Sequence, residues 1–247
     1  MPHQRPGQPR VPRRSRARRA LRAAEPLSRE RIVEAALELI AETGLAGFST
    51  RKLGERLGRE AMSLYHHFPS KQHLLDALVD HAIGTVDVPE PGADGPARMR
   101  RLLASYRGMA RRWPALFPLV AVHRLNTPTG VRFIESILRL IRRVEPDPEG
   151  AARSFRLMGY YLVGACLDET AGYARGPSAA DPVSDAFVAR ECPLLAESAP
   201  YFQERHWDRT FELGVDLLMD ALGQRAPQPP VPAKRRSAAS KRHRTGP

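Results

Sequence analysis

From about residue 28 to residue 224, apolar positions recur at three- and four-residue steps, with no sustained alternation at period two. This is the pattern of amphipathic helices and predicts an all-α chain without strands. Ser28 can cap a first helix, with Glu30 near its positive end. Ile32, Val33, Ala36, Leu37, Leu39 and Ile40 carry the apolar stripe, and Gly44 is placed to end the helix. A short helix follows from Ser49 or Thr50 to Gly58, and another from Ala61 to about His67. Pro69-Ser70 stops the chain and recaps it for a fourth helix over about 70–85, with Leu74, Leu75, Leu78, Val79, Ala82 and Ile83 inward. The Pro89-Glu90-Pro91-Gly92 run with Asp94-Gly95 then marks a break, placing a domain boundary near residue 87.

The second part continues in the same period. Helices are expected over Ala97–Trp113, Pro114–His123 and Pro128–Val144, followed by a long one over Glu149–Arg175 that Gly176-Pro177 ends. Residues 176–200 read as loop with a short helix near Pro182–Arg190, and a last helix spans about Phe202–Gly223. No internal repeat is present.

Composition adjusts this picture at the ends. The 247 residues carry 39 basic and 27 acidic side chains, a net charge of +12. Residues 1–26 hold eight Arg against one acid, Glu25, and residues 226–247 hold six basic residues and no acid, so the basicity sits in the tails. Both tails are Pro-rich, and like charge with proline opposes a packed core. Residues 1–27 and 225–247 are therefore expected to be disordered basic arms suited to loose phosphate binding. No apolar run approaches the ~20 residues of a membrane span, and no apolar segment follows the basic start as in a secretory signal. Two cysteines, Cys166 and Cys192, make no disulfide framework and fit a reducing cytoplasm. No catalytic triad, Gly-rich phosphate loop or metal-ligand cluster appears, so enzymatic activity and a resident cofactor are not expected. His73, Asp76 and Asp80 share one helical face and read as a solvated polar surface.

The stretch from Ser49 to Phe68 has the outline of a helix-turn-helix, with its tight turn at Gly58. Leu53, Leu57, Leu64 and Phe68 can pack against Ile40, leaving Ala61, Met62, Ser63, Tyr65, His66 and His67 outside. Beyond shape, three stretches are diagnostic: Ala35–Leu39, Gly44–Leu53, and Ser63-Leu-Tyr-His-His-Phe-Pro-Ser-Lys71 with Leu74-Leu75. Through them, residues 28–83 closely resemble the DNA-binding domain of the TetR (tetracycline repressor) family. The resemblance implies a helix-turn-helix domain over 28–87 and a larger helical ligand-binding and dimerisation domain over 95–224. Its implied function is that of a sequence-specific transcriptional regulator, released from double-stranded operator DNA by a small molecule. It also implies that Thr50, Arg51 and Lys52 face DNA, that Ser63, Tyr65, His66 and His67 lie on the recognition helix, and that Lys71 holds a phosphate.

In the last helix, Trp207, Phe211, Gly214, Val215, Leu218 and Leu222 form one apolar stripe. The long helix carries Phe155, Gly159, Leu162, Ala165 and Cys166. With the resemblance, these two stripes are expected to form a four-helix homodimer interface. A mainly apolar effector pocket is expected from Tyr106, Met109, Trp113, Phe117, Val120, His123, Phe133, Ile137, Met158 and Tyr161. Val122-His123 with Pro128-Thr129 also resembles the stretch in which the family's tetracycline repressors ligate magnesium through His. Cys166-Leu-Asp-Glu169 matches the place of a carboxylate near that metal, pointing to Asp168. Asp87 and the residues Arg124-Leu-Asn-Thr127 depart from that pattern, so no metal is expected.

Overall fold

The structure is a computed structural model that describes residues 26–92, 94–171 and 179–223. Among these, all regular structure is helical. The helices are α1 (Arg29–Gly47), α2 (Thr50–Leu57), α3 (Ala61–Tyr65), α4 (Lys71–Ile83), α5 (Gly95–Arg112), α6 (Phe117–Val122), α7 (Pro128–Ile141), α8 (Pro148–Thr170), α9 (Asp185–Glu191), α10 (Pro193–Ser198) and α11 (Trp207–Gly223). The two expected basic arms lie outside the described residues, apart from Pro26 and Leu27 of the first.

Local chemistry sets the helix starts. The hydroxyls of Ser28, Ser49, Ser70 and Thr127 accept the N–H three residues on, and the carboxylates of Asp94 and Asp147 do the same. Gly44 takes φ +69, where the regular turn of α1 breaks; one further tight turn carries the chain to Gly47. Gly58 closes α2 in the left-handed conformation, φ +66.

Several ends differ from the sequence reading. α3 stops at Tyr65 and α7 at Ile141, because a following turn bonds to i−3 carbonyls. α8 is described to Thr170, and its expected continuation to Arg175 with the Gly176-Pro177 stop lies outside the described residues. α11 begins at Trp207, not Phe202, since residues 199–206 form two 3₁₀ turns. α10 was not expected at all.

α1, α2 and α4 enclose the small N-terminal core, in which Ile32, Ile40, Leu53, Leu64, Phe68 and Leu78 are fully buried. Each such side chain contributes roughly 1.5–3 kcal/mol relative to exposure. α4 also packs on α5, α6 and α7, so its apolar face joins both halves. In the second half α8 is central, packed by α5, α6, α7 and α11. No described helix is long and apolar enough to cross a membrane.

Candidate nucleic-acid interface and effector cavity

The α2–α3 unit is held by a very close approach. A β-carbon on Gly54 would lie 2.8 Å from the Arg59 carbonyl oxygen and 3.1 Å from the Ala61 nitrogen, so only glycine lets the turn fold back on α2. The Arg59 N–H closes that turn on the Gly54 carbonyl at 2.9 Å. Arg56 then clamps α2 to α1 by bonding Glu42 at 2.6 Å and Glu38 at 2.9 Å. That bonding holds the Glu42 carboxyl below the usual carboxylate range. Arg29 reaches from the start of α1 to the His67 carbonyl and stacks 4.2 Å over the Phe68 ring. The sequence reading missed Arg29; its position three residues before the first apolar stripe carries no signal for a contact 38 residues away.

On this rigid frame Met62 is 69% exposed, and Tyr65 and His66 also face outward. Ser63 and His67 are half-buried. Thr50, Arg51 and Lys52 sit in the first turn of α2, where the backbone N–H groups are partly unpaired. Arg51 pairs with Glu55 in water, and Lys52 donates to the Gly47 carbonyl at 2.8 Å. Lys71 opens α4 with its ammonium 5.7 Å from the Phe48 ring centroid. Of the eight nominated residues, Arg51, Lys52, Tyr65, His66 and Lys71 are exposed and Thr50, Ser63 and His67 half-buried, with the charged groups at the starts of α2 and α4. A charged rim suits phosphates, and the protruding Met62, Tyr65 and His66 suit base edges.

A cavity of about 150 Å³ opens among α5, α6, α7 and α8. Of the ten nominated pocket residues, Tyr106, Val120, His123, Phe133, Ile137 and Met158 line it. Four do not. Met109 and Phe117 are buried in the core; Trp113 packs edge-on against His81, its ring 5.7 Å away, and Tyr161 donates to the Phe211 carbonyl at 2.7 Å. Leu102, Leu103, Ala121, Leu125 and Val163 also line it. As plain aliphatic residues they cannot be told from core in a sequence. A wider groove beside Arg139, Arg142 and Arg143 is open to solvent.

Three residues assigned to the dimer face, Phe155, Gly159 and Leu162, line this cavity instead. Cys166 and Phe211 are buried within the protomer, at 0% and 3% exposure, and Gly214 is covered by the Tyr161 ring. Trp207 is half-buried, its indole N–H on the Phe202 carbonyl, and Leu218 and Leu222 are half-buried. α8 and α11 are apolar on two sides, and Phe155, Gly159, Leu162, Cys166, Phe211 and Gly214 lie on the inner one. The outer one is Leu157 and Tyr160 on α8 with Leu213 and Leu217 on α11, all exposed.

The cavity is wired to the N-terminal half. The His123 Nδ1 accepts the Leu125 N–H at 3.0 Å, so the ring proton sits on Nε2, which faces an Asp76 oxygen at 3.2 Å. One turn on, Thr127 Oγ1 donates to Asp80 while accepting the Gly130 N–H. Asp76 and Asp80 are therefore engaged across the domain junction, not solvated as a free surface; His73 bonds Ser70 locally. Between them Leu125 has φ +52, a conformation unfavourable for a branched residue. At the domain boundary the Asp87 N–H donates to Ser105, and its carboxylate pairs with Arg101.

Below the cavity Arg107 is buried among opposite charges. It bonds both Glu169 oxygens at 2.8–3.1 Å, reaches Asp208 at 2.9 Å and stacks 4.4 Å over Phe211. Burial opposes its charge, but the bonds to Glu169 outweigh that and raise its pKa above the usual value. Asp168, the other acid of that stretch, is exposed.

Comparison with known proteins agrees with this architecture. The profile of bacterial regulatory proteins of the tetR family matches residues 32–78, and that of the tetracyclin repressor-like C-terminal domain matches residues 88–225. The tetracycline repressor protein class A from transposon 1721 of Escherichia coli is 32% identical over 206 residues, covering 78% of this chain and 89% of its own length. A possible TetR family transcriptional regulator from Streptomyces coelicolor A3(2) superposes with a TM-score of 0.67 at 28% identity, covering 79% of this chain and 98% of that one. The Streptomyces coelicolor TetR family protein ActR in complex with actinorhodin gives 0.65 at 26%, covering 80% and 97%. The chain belongs to the TetR family of bacterial regulatory proteins and is a DNA-binding transcriptional regulator.

Proposed function

We propose that this protein is a homodimeric, cytoplasmic repressor without enzymatic activity, whose α3 enters the major groove of operator DNA and whose C-terminal cavity takes the effector that releases it. The exposed Met62–Tyr65–His66 surface, fixed by the Gly54 turn and the Arg56 clamp, carries the DNA-reading half of this proposal. Thr50, Arg51, Lys52 and Lys71 position the unit on phosphates; Ser63, Tyr65, His66 and His67 supply the contacts of α3. The outer stripe of Leu157, Tyr160, Leu213 and Leu217 supports a dimer of paired α8 and α11 helices, which places two copies of α3 against two half-sites. The ties from His123 and Thr127 to α4 support the release step, because whatever moves the cavity wall moves the helix that carries the reading unit.

The test is binding of the full chain to DNA from its own upstream region, against a scrambled duplex, across a salt series. Specific affinity at moderate salt, lost in Tyr65→Ala by tenfold or more, is the expected result. Lys71→Ala lowers affinity for both duplexes and flattens the logarithmic salt slope by about one. Both variants remain dimers by sedimentation. Equal affinity of folded Tyr65→Ala and wild type for the operator defeats the assignment of α3.

A further inference from the structure

The effector cavity, taken here as the effector site on the reading above, has a chemistry of its own. Resemblance to tetracycline repressors suggests a magnesium chelate held by His123 and an acid of the 168–169 pair. The donors here do not fit such an ion. Magnesium requires free lone pairs in octahedral array. The Nδ1 lone pair of His123 is taken by the Leu125 N–H, and its Nε2 carries the proton facing Asp76. Both oxygens of Glu169 are taken by Arg107, and Asp168 is exposed. Among the described residues no three of His, Cys, Asp and Glu gather to hold a metal.

The walls point to a different guest. None of the lining residues is Asp, Glu, Lys or Arg, so a charged ligand entering there would lose hydration without gaining a counter-ion. Phe133 and Phe155 bring flat apolar surface, and Leu103, Ile137 and Met158 fill in around them. A cavity near 150 Å³ is on the scale that encloses a benzene-sized guest. The polar exception is Tyr106. It lines the cavity, its ring is braced edge-on by Phe117 at 6.0 Å, and its hydroxyl has no hydrogen-bond partner among the described residues. Burial raises its pKa, so it stays a donor at neutral pH.

We propose that this regulator responds to a neutral molecule of one or two fused rings that binds without a metal and accepts a hydrogen bond from Tyr106 through a carbonyl oxygen. The guest lies against the His123 imidazole, the group already tied to α4.

Calorimetry on the full-length dimer with three probes of one shape tests this: 1-indanone, indane, and indane-2-carboxylate. The expected order is 1-indanone tightest, indane weaker, and the carboxylate at least tenfold weaker than the ketone, with no change on adding chelator or magnesium. Tyr106→Phe weakens 1-indanone about tenfold and leaves indane unchanged. Gly159→Leu is an independent control. An added β-carbon there meets no atom within 4 Å, so the longer side chain occupies cavity space and abolishes 1-indanone binding in a protein that melts as wild type does. The proposal is overturned if none of the neutral probes binds, if tetracycline with magnesium binds more tightly than every neutral probe, if ketone and hydrocarbon bind equally, or if Tyr106→Phe weakens both alike. Operator binding is measured on the same preparations, so failure of the ligand class is separable from failure of the regulator reading.

Discussion

Gly54 and Gly108 show how one residue type carries opposite consequences. At Gly54 a β-carbon collides with backbone, the Arg59 carbonyl at 2.8 Å, which cannot yield without opening the turn that presents α3. At Gly108, exposed within α5, a β-carbon meets nothing within 4 Å. Gly54→Ala is expected to cost about 1–3 kcal/mol and to lower operator affinity. Gly108→Ala is expected to gain about 0.5–1 kcal/mol from helix propensity, with operator binding unchanged. Thermal melts and anisotropy titrations of the two variants check the pair; a neutral Gly54→Ala refutes the close-approach argument. Cys166 gives a pH prediction with a defined sign. Burial pushes its thiol up to about 12, from an ordinary value near 9. Folding therefore favours the neutral thiol, and that stability is fully present below pH 9 and drains away as pH rises toward 12. Wild type is expected to lose melting temperature between pH 8 and 10.5 more steeply than Cys166→Ala. At pH 8 a maleimide should modify half-buried Cys192 well before Cys166.

At the level of elements, the Arg107–Glu169 pair fastens α5 to α8, and Asp208 extends the fastening to α11. Arg107→Met leaves the Glu169 carboxylate buried without its partner and is expected to cost about 3–5 kcal/mol. Glu169→Met strands the arginine in the same way. The double variant, apolar on both sides, is expected to lie closer to wild type than either single one; if its loss equals the sum of the two singles, the pair is not the coupled unit described. None of this was readable beforehand, because the two residues lie 62 positions apart. Helix starts were readable because capping is local: Ser28, Ser49, Ser70 and Pro128 each announce one within three residues. The α2–α3 turn was readable for the same reason, and none of its eight nominated residues is buried in the core. The division of α8 and α11 between inside and outside was not readable. Both helices are apolar on two faces, and only packing decides that Phe211 and Val215 turn inward while Leu213 and Leu217 turn outward. α10 escaped because its six residues are too short for a periodicity to register.

Across the whole molecule, the main packing route from the cavity to α3 runs through α4, the N-terminal helix that packs on α5, α6 and α7. α4 meets the C-terminal half through apolar packing and through two polar ties, Asp76 to His123 and Asp80 to Thr127. Apolar packing is tolerant of small sliding, whereas a hydrogen bond to a carboxylate is made or lost over about an ångström. The two ties flank Leu125, whose unfavourable backbone is held in place by what surrounds it. This segment is thus the strained part of the cavity wall, and it is the part hydrogen-bonded to α4. Linkage requires the influence to run both ways, so operator binding must also be felt at residues 123–130. Hydrogen exchange of the dimer with and without operator is the direct reading. In wild type, operator is expected to slow exchange in α1–α4 and also at the Leu125 and Gly130 amides, both of which are bonded within the tied segment. In Asp76→Ala/Asp80→Ala the slowing should stop at α4, while the fold and the operator affinity of the reading unit persist. Unaltered transmission of protection to residues 123–130 in that variant would assign the coupling to the apolar face of α4 and remove the polar ties from the mechanism.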